Sequence, residues 1–319
     1  MNKTACGAAI AAFLVAHAWP GRAADVVHVG KAAQEASPLL PIDVGVKTGI
    51  FAKHGLDVQV ANFSGGGKLH QAMEAGSVDI GAGAGPELAL IAKGAQELAI
   101  CNDFPPVTFI GIAVPEDSPA RTIDDLKGKK IGVSSAGSLT YWLALELARK
   151  KGWGPNGIEI VAIGNGASSI VAGFHTHAVD ADIAATSIIF NMEADKVGRL
   201  LIPASQYEGN LGAGMIYATK RIIASDPDAV RGFVAGLLET IAYMRTHKDE
   251  TVKIESAVTG FPVPVQAKEY DLTIGSFSTT GQFDQESLAN LQHSFTDLQL
   301  VTSPPDMKTL YTEEFLPKH

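Results

Sequence analysis

Residues 49–83 contain a strand pattern, a glycine-rich turn, a helix pattern and a second buried strand in immediate succession. Polar and apolar side chains alternate over residues 57–60, as in a strand, and apolar side chains recur at helical spacing over 69–73. The turn between them, S-G-G-G at 64–67, lets backbone N–H groups at a helix start converge on a small electron-rich group. This order predicts an α/β unit with a binding turn at the end of its strand.

A weaker copy of this unit occurs later in the chain. Val78-Asp79-Ile80 and Val179-Asp180-Ala181 each follow a short helix pattern and precede a turn of small residues. Strands that alternate with helices predict mainly parallel sheets covered on both faces. In such sheets ligands bind outside the carboxyl ends of the strands. The sequence therefore predicts two α/β lobes that face one cleft.

The first 23 residues have the composition of a secretory signal peptide. Lys3 supplies a positive start, residues 5–19 are apolar, and Gly21 and Ala23 give the small-x-small pattern of a cleavage site. A transmembrane anchor is the alternative, but the apolar run is short for a hydrocarbon core of about 30 Å. We expect cleavage near Ala23 and export to the periplasm.

The charge of the remaining chain disfavours some partners. The formal net charge is −9, and it becomes −11 without Lys3 and Arg22 of the signal peptide. Nucleic acids and anionic membranes prefer the opposite sign, so neither is expected as a partner. Cys101 is then the only cysteine, which excludes an internal disulfide, and an apolar fraction of 46% is ample for two lobes.

The predicted elements divide the chain into four parts. Residues 1–23 are the signal peptide, 24–114 the first part of lobe 1, 115–210 lobe 2, and 211–319 the return to lobe 1 with the C-terminal helices. The break P-E-D-S-P at 115–119 is the predicted first crossover, and 210–214 is the predicted return.

Four groups of residues follow one another in an order and spacing that is fairly specific as a set. They are G-I-F at 49–51 with G-L-D-V at 55–58, A-G-S-V-D at 75–79, D-L-K-G-K-K-I-G-V at 125–133, and G-S at 137–138. Across residues 26–240 they resemble the solute-binding proteins of ABC importers for sulfonates, taurine, nitrate and related compounds, a family named for its similarity to fungal thiamine-pyrimidine synthases. The resemblance implies a type II periplasmic binding fold, with two α/β lobes joined by two crossover strands. It implies a monomer without cofactor or metal that binds a small molecule in the cleft and presents its closed form to an inner-membrane ABC permease.

The resemblance also carries the family's ligand contacts onto four loops of this chain. They fall on Gln34, Ser37, Ser64, Gly65, Gly66, Gly83, Ser135, Gly137, Ser138, Thr140 and Thr186. The alternative for the serines is that they only cap helices. These loops contain no arginine, which a doubly charged anion would normally require. A sulfonate, a carboxylate or a mostly neutral heterocycle is therefore the expected class of solute.

Other motifs in the chain are weaker. The turn at 64–68 lacks the Ser or Thr that a nucleotide-binding P-loop needs after its lysine, because position 69 is Leu. The glycines at 81–85 lack the spacing of a dinucleotide fingerprint. His175 and His177, near Asp180, are expected to be solvated at a helix end rather than to bind a metal.

Two other functions remain as alternatives to transport. Fungal pyrimidine synthases of this family use an active-site histidine and a cysteine-rich run. Residues 83–88 here contain no histidine and 210–215 no cysteine, which favours a protein that is not an enzyme. A ligand-sensing subunit of an extracytoplasmic signalling system is the other alternative, and it would have to act through a partner.

Overall fold

The computed structural model describes residues 24–154 and 156–318, so the predicted signal peptide lies outside it. Within these ranges there are ten strands. They are β1 Asp25–Lys31, β2 Leu56–Asn62, β3 Ile80–Gly83, β4 Glu97–Pro106, β5 Ile110–Pro115, β6 Lys130–Val133, β7 Glu159–Ala162, β8 Ala181–Ala185, β9 Gly198–Pro203 and β10 Asn210–Thr219. The α-helices are α1 Leu40–Lys47, α2 Ile50–Lys53, α3 Gly66–Glu74, α4 Leu88–Ala92, α5 Leu139–Lys150, α6 Ala167–His175, α7 Thr186–Ala194, α8 Lys220–Ser225, α9 Pro227–Thr246, α10 Lys248–Thr259, α11 Val263–Thr273 and α12 Gln285–Asp297.

The strands form two five-stranded sheets of the same design. The first has the order β2-β1-β3-β10-β4 and the second β7-β6-β8-β5-β9. In each sheet four strands run in the same direction, and the fourth in the order, β10 or β5, is antiparallel to both of its neighbours. The two sheets define two lobes. The predicted α/β fold with two similar halves is confirmed.

The first passage between the lobes differs from its predicted position. The chain leaves the first sheet after β4 and enters the second at β5, so residues 107–109 make the crossover. The predicted break at 115–119 instead follows β5, which pairs with β8 and β9 in the second sheet. Residues 107–114 form one apolar run, and hydrophobicity alone does not reveal where such a run changes sheets. The chain returns over residues 204–209, and β10 begins at Asn210.

The long helix α9 shows how the sequence builds the first lobe. Asp226 accepts a hydrogen bond from the backbone N–H of Ala229 at 3.0 Å, and Pro227 occupies the first turn. The predicted apolar face is fully buried; it consists of Val230, Phe233, Leu237, Ile241 and Met244. Each such side chain contributes about 1.5–3 kcal/mol when removed from water. This burial fixes α9 against the sheet.

The C-terminal helices contact both lobes. The indole N–H of Trp142 in α5 donates to Ser294 Oγ in α12 at 2.8 Å, and Glu269 in α11 bonds residues of both lobes. The C-terminal segment, expected to complete lobe 1, therefore also supports lobe 2. None of the helices that the structure describes is long and apolar enough to cross a membrane.

Candidate ligand-binding cleft

The glycine turn at the start of α3 faces the turn before α5 across the gap between the lobes. Gly65 precedes α3 with φ +114°, a conformation that favours glycine. A Cβ on Gly65 would overlap Ser135 Oγ, and one on Gly67 would lie 2.6 Å from the carbonyl oxygen of Ala136. The absence of side chains on the first turn therefore lets the two lobes approach closely. The two turns predicted to form opposite walls do lie opposite each other.

A cavity of about 70 Å³ lies between the lobes beside these turns. A buried water needs roughly 10–15 Å³ on this scale, so the space suits a small organic molecule. Its apolar wall comes from both lobes and includes Leu39, Phe109 and Ile188. Six polar side chains complete the lining; they are Glu87, Ser134, Ser138, Thr140, Asn165 and Asp182.

The structure separates the eleven predicted contacts into two groups. Those that line the cavity are Gly65, Gly66, Gly83, Ser138 and Thr140. Those outside the lining are Gln34, Ser37, Ser64, Ser135, Gly137 and Thr186. The first group lies on the predicted turns at the carboxyl ends of β2, β3 and β6, and the backbone placement of the site therefore follows the sequence pattern.

Several residues of the second group have other partners. Gln34 Nε2 donates to the carbonyl of Val258 at 2.7 Å, and Ser64 Oγ accepts from Lys68 Nζ at 2.9 Å. The Ser135 side chain lies against Gly65 in the opposite turn. Gly137 has φ +75° and shapes its turn. These contacts give the residues a structural role in this conformation.

Ser37 and Thr186 meet on one buried carboxyl group. Ser37 Oγ donates to Glu269 Oε1 at 2.5 Å, and Thr186 Oγ1 lies 2.8 Å from Glu269 Oε2. Ser37 belongs to the first lobe and Thr186 begins α7 in the second, so Glu269 joins the two. Burial raises the pKa of Glu269 to about 7, although both hydroxyl bonds lower it. In this conformation the hydroxyls of Ser37 and Thr186 join the lobes through Glu269.

Ser138 has the capping role that was the alternative to ligand contact. Its Oγ accepts from the N–H of Tyr141 at 3.3 Å and donates to the carbonyl of Ser135 at 2.7 Å. Ser134 Oγ donates to Ser138 Oγ at 2.9 Å, and Thr140 Oγ1 accepts from the N–H of Ser134 at 2.9 Å. The Thr140 hydroxyl also lies 3.0 Å from Ser134 Oγ and 3.1 Å from Ser138 Oγ. The protons of both serines are directed to acceptors within the cluster, so a ligand would compete only for the Thr140 proton.

Glu87 is a polar wall residue that the sequence analysis did not predict. Its carboxylate accepts from His70 Nε2 at 2.8 Å, and His70 Nδ1 lies 2.6 Å from Glu97 Oε2. All three side chains are buried. Burial disfavours the imidazolium, but the hydrogen bonds and charges of both carboxylates outweigh it and raise the pKa of His70 to about 9. The His70 imidazolium therefore lies between the carboxyl groups of Glu87 and Glu97.

The Glu87 carboxylate lies in space that two glycines leave open. A Cβ on Gly66 would overlap Glu87 Oε1, and a Cβ on Gly83 would overlap Oε2. Gly66 is the first residue of α3, whose positive end attracts negative charge. The position where the sequence pattern suggested a bound electron-rich group thus holds a carboxylate of the protein itself.

Asp182 is the second acidic residue of the wall that was not predicted. It lies on β8 and is 1% exposed, and its Oδ2 has no hydrogen-bond partner among the residues with assigned positions. Burial raises the pKa of Asp182 well above its usual range. A Cβ on Gly132, its neighbour on β6, would overlap Oδ2. In the sequence, the feature that could have indicated Asp182 is an acidic residue within the otherwise apolar strand 181–185.

Direct hydrogen bonds hold the two lobes together around the cavity. Asn165 Nδ2 donates to the carbonyl of Ala32 at 3.0 Å, and Ser187 Oγ donates to the carbonyl of Glu35 at 2.8 Å. Each bond joins the second lobe to the first, so the lobes are in direct contact beside the cavity. His175 and His177 are exposed, and residues 24–154 and 156–318 contain no group of three His, Cys, Asp or Glu suited to a metal ion.

Two five-stranded sheets, each with one antiparallel strand, around a cleft crossed twice by the chain define the periplasmic binding protein fold. The alkanesulfonate-binding protein SsuA of Xanthomonas axonopodis pv. citri, solved bound to MOPS, has this fold. It aligns with a TM-score of 0.75 at 19% identity over 90% of this chain and 98% of its own. The desulfurization enzyme DSZB also shares the fold, with a TM-score of 0.62 at 16% identity over 91% of this chain and 97% of its own.

The chain belongs to the NMT1/THI5-like family, whose model matches residues 38–251. It is 26% identical over 213 residues to a protein of Brucella abortus (strain 2308) that is provisionally named a binding protein. It is 25% identical over 221 residues to a provisionally named aliphatic sulfonates-binding protein of Escherichia coli (strain K12). The matches cover 66% of this chain in both cases, and 65% and 64% of the two relatives.

Proposed function

We propose that this protein is the periplasmic solute-binding component of an ABC import system. It captures one small organic solute between its lobes and delivers it to a membrane permease. The observation that carries the proposal is the cavity between two lobes that are joined by short crossovers at 107–109 and 204–209. Membership of the NMT1/THI5-like family and the names of the two relatives support it.

Binding and closure are coupled in this mechanism. Rotation about the two crossovers opens the cleft, and the Asn165–Ala32 and Ser187–Glu35 hydrogen bonds form only when the lobes meet. A solute that contacts both walls adds its binding energy to the closed state and shifts the population toward it. The permease then distinguishes loaded from empty protein by the relative position of the lobes.

The described cavity wall suits binding better than catalysis, although an enzyme shares the fold. A serine nucleophile needs a neighbouring base to accept its proton. Ser138 Oγ donates to a backbone carbonyl, and Ser134 Oγ to another hydroxyl. Cys101 is fully buried and outside the cavity lining. We therefore propose a protein that releases its solute unchanged.

A closure assay tests the proposal. Protein from residue 24 onward is stripped of co-purified solute and screened by thermal shift against amines, amidines, heterocycles, carboxylates and sulfonates, with X-ray scattering of each hit. A true solute raises the melting temperature and reduces the radius of gyration. Failure of every compound in the screen to do so would contradict the proposal.

Two glycine substitutions test the contact between the turns of the two lobes. Gly67→Ala places a methyl group 2.6 Å from the Ala136 carbonyl in the opposite lobe, so it should hinder closure and weaken binding. Gly275→Ala is the matched control, because a Cβ there meets nothing within 4 Å. Equal affinities of the two variants would show that the turns do not meet in the bound state.

A further inference from the structure

We propose that the cleft takes a small organic cation, a protonated amidine or amine with an apolar body, held between the carboxyl groups of Glu87 and Asp182. This inference rests on the proposed function and names the class of solute for the same site. It departs from the sulfonates in the relatives' names, and the charge of the wall is the reason.

The two carboxyl groups come from opposite lobes. Glu87 ends the 3-10 turn Gly85–Glu87 of the first lobe, and Asp182 lies on β8 of the second. No lysine, arginine or histidine is among the assigned residues that line the cavity. A sulfonate or carboxylate inside would therefore meet one or two acidic groups and no cationic side chain. A cation would be attracted by Glu87 and would supply the positive partner that the buried carboxyl group of Asp182 lacks, so it would favour closure.

The Glu87 carboxylate is held in position by a hydrogen bond from His70. His70 bonds Glu87 with one ring nitrogen and Glu97 with the other, so both nitrogens act as donors to carboxylates. The imidazolium fixes the Glu87 carboxylate in place against Gly66, and the second carboxylate offsets the imidazolium charge. The wall keeps a fixed negative group, oriented before any solute arrives.

Asp182 supplies the second observation. Its Oδ2 is buried against Gly132 and lacks a hydrogen-bond donor within the described part of the chain. Buried polar atoms without partners are uncommon in folded proteins, and one that belongs to a cavity-lining side chain is explained by a bound group that supplies the missing donor. An amidinium or ammonium N–H is the donor that this carboxyl group lacks. An anionic solute would supply no positive charge to this buried carboxyl group and would be repelled by the Glu87 carboxylate.

The rest of the cavity fits the body of such a solute. Leu39, Phe109 and Ile188 provide apolar contact beside the acidic pair. The positive end of α5 would favour an anion, but Ser138 already caps its first turn and accepts from the N–H of Tyr141. The hydroxyl of Thr140 can accept or donate one further bond.

Four probes of nearly equal size and different charge test the proposal on the unmodified protein. They are benzamidine, benzamide, benzoate and benzenesulfonate, measured by calorimetry and thermal shift at pH 7 on solute-free protein. Benzamidine should bind at least tenfold more tightly than each of the other three. Equal or tighter binding of any of those three overturns the proposal but leaves the binding function standing.

Variants test whether the acidic pair is responsible. Glu87→Gln and Asp182→Asn should each weaken benzamidine binding at least tenfold, with less effect on benzamide. Asp195→Asn, which removes the same charge from an exposed site of the second lobe, should bind benzamidine like the unmodified protein. Unchanged affinity in both cleft variants also overturns the proposal, and the ranking on unmodified protein decides if a variant fails to fold.

The failures of this proposal and of the binding function are distinguishable. If none of the four probes binds, the cation proposal is refuted. Closure of the protein around any other solute in the scattering screen would then preserve the transport function. Absence of closure with every solute would refute both.

Discussion

Replacement of His70 by glutamine should destabilise the protein strongly, because it removes a buried cation from between two carboxylates. Side-chain exposure is 4% for His70, 2% for Glu87 and 1% for Glu97, and the two contacts measure 2.8 and 2.6 Å. Glu97 Oε1 already lacks a partner within residues 24–154 and 156–318. A glutamine amide can donate to one carboxylate, but it carries no charge.

Two estimates of the loss in free energy of unfolding give the same magnitude. Removal of one partner from a buried ion pair costs about 3–5 kcal/mol. The pKa of His70 rises from 6.5 to about 9, and at about 1.36 kcal/mol per pKa unit this difference corresponds to roughly 3 kcal/mol. We therefore expect His70→Gln to lower the free energy of unfolding by about 3–5 kcal/mol at pH 6.5.

The raised pKa of His70 also predicts how the free energy of unfolding changes with pH. A raised pKa means that the folded state binds a proton that the unfolded state releases above pH 6.5. The stabilisation is complete below pH 6.5 and is lost as the pH rises through about 9. The free energy of unfolding should thus fall by roughly 3 kcal/mol more in the unmodified protein than in His70→Gln between those two pH values.

Urea unfolding followed by circular dichroism at several pH values measures both effects. His54→Gln is the matched control, because His54 Nε2 also lies 2.8 Å from a carboxylate, Glu239, but the two side chains are 27% and 48% exposed. That surface pair should contribute about 0–1 kcal/mol. Equal stability of the two variants, or parallel pH profiles of His70→Gln and the unmodified protein, would refute the buried charge cluster.

Two further substitutions test other buried groups near the cleft. Burial holds the pKa of Glu269 at about 7 against 4.5 for a free glutamate, so its stabilisation is present below pH 4.5 and lost through pH 7. Glu269→Gln should remove a decline of about 3 kcal/mol over that range, as measured by urea unfolding. Gly66→Ala places a methyl group on a carboxylate oxygen and should cost about 1–3 kcal/mol, whereas Gly275→Ala should stay within about 0.5 kcal/mol in the same assay.

The fold was predictable because its signals are local. Alternating strands, helical periodicity and a unit repeated at Val78 and Val179 each depend on a few neighbouring residues. The crossover at 107–109 was misplaced because strand pairing decides it, and pairing joins residues far apart in the chain. Ile112 opposes Ile183 and Ile202, which identifies β5 as part of the second sheet.

The backbone of the site was predictable, but its chemistry was not. Turns at the carboxyl ends of strands bring Gly66 and Ser138 to the cavity whatever their neighbours are. The partners of Ser37 and Glu87 depend on tertiary contacts. Ser37 bonds Glu269, 232 residues further along the chain, and Glu87 bonds a histidine on another helix. No pattern in one sequence reports such distances.

The glycines of the cleft make room for acidic side chains of the protein itself. Gly66, Gly83 and Gly132 each leave the space that a carboxylate oxygen of Glu87 or Asp182 occupies. A glycine-rich turn at a helix start usually indicates room for an external anion. Here the protein fills that room with its own acidic groups, and the same turn then attracts the opposite charge. Relatives with the same fold can therefore differ in the sign of their solute through a few acidic side chains and the glycines that accommodate them.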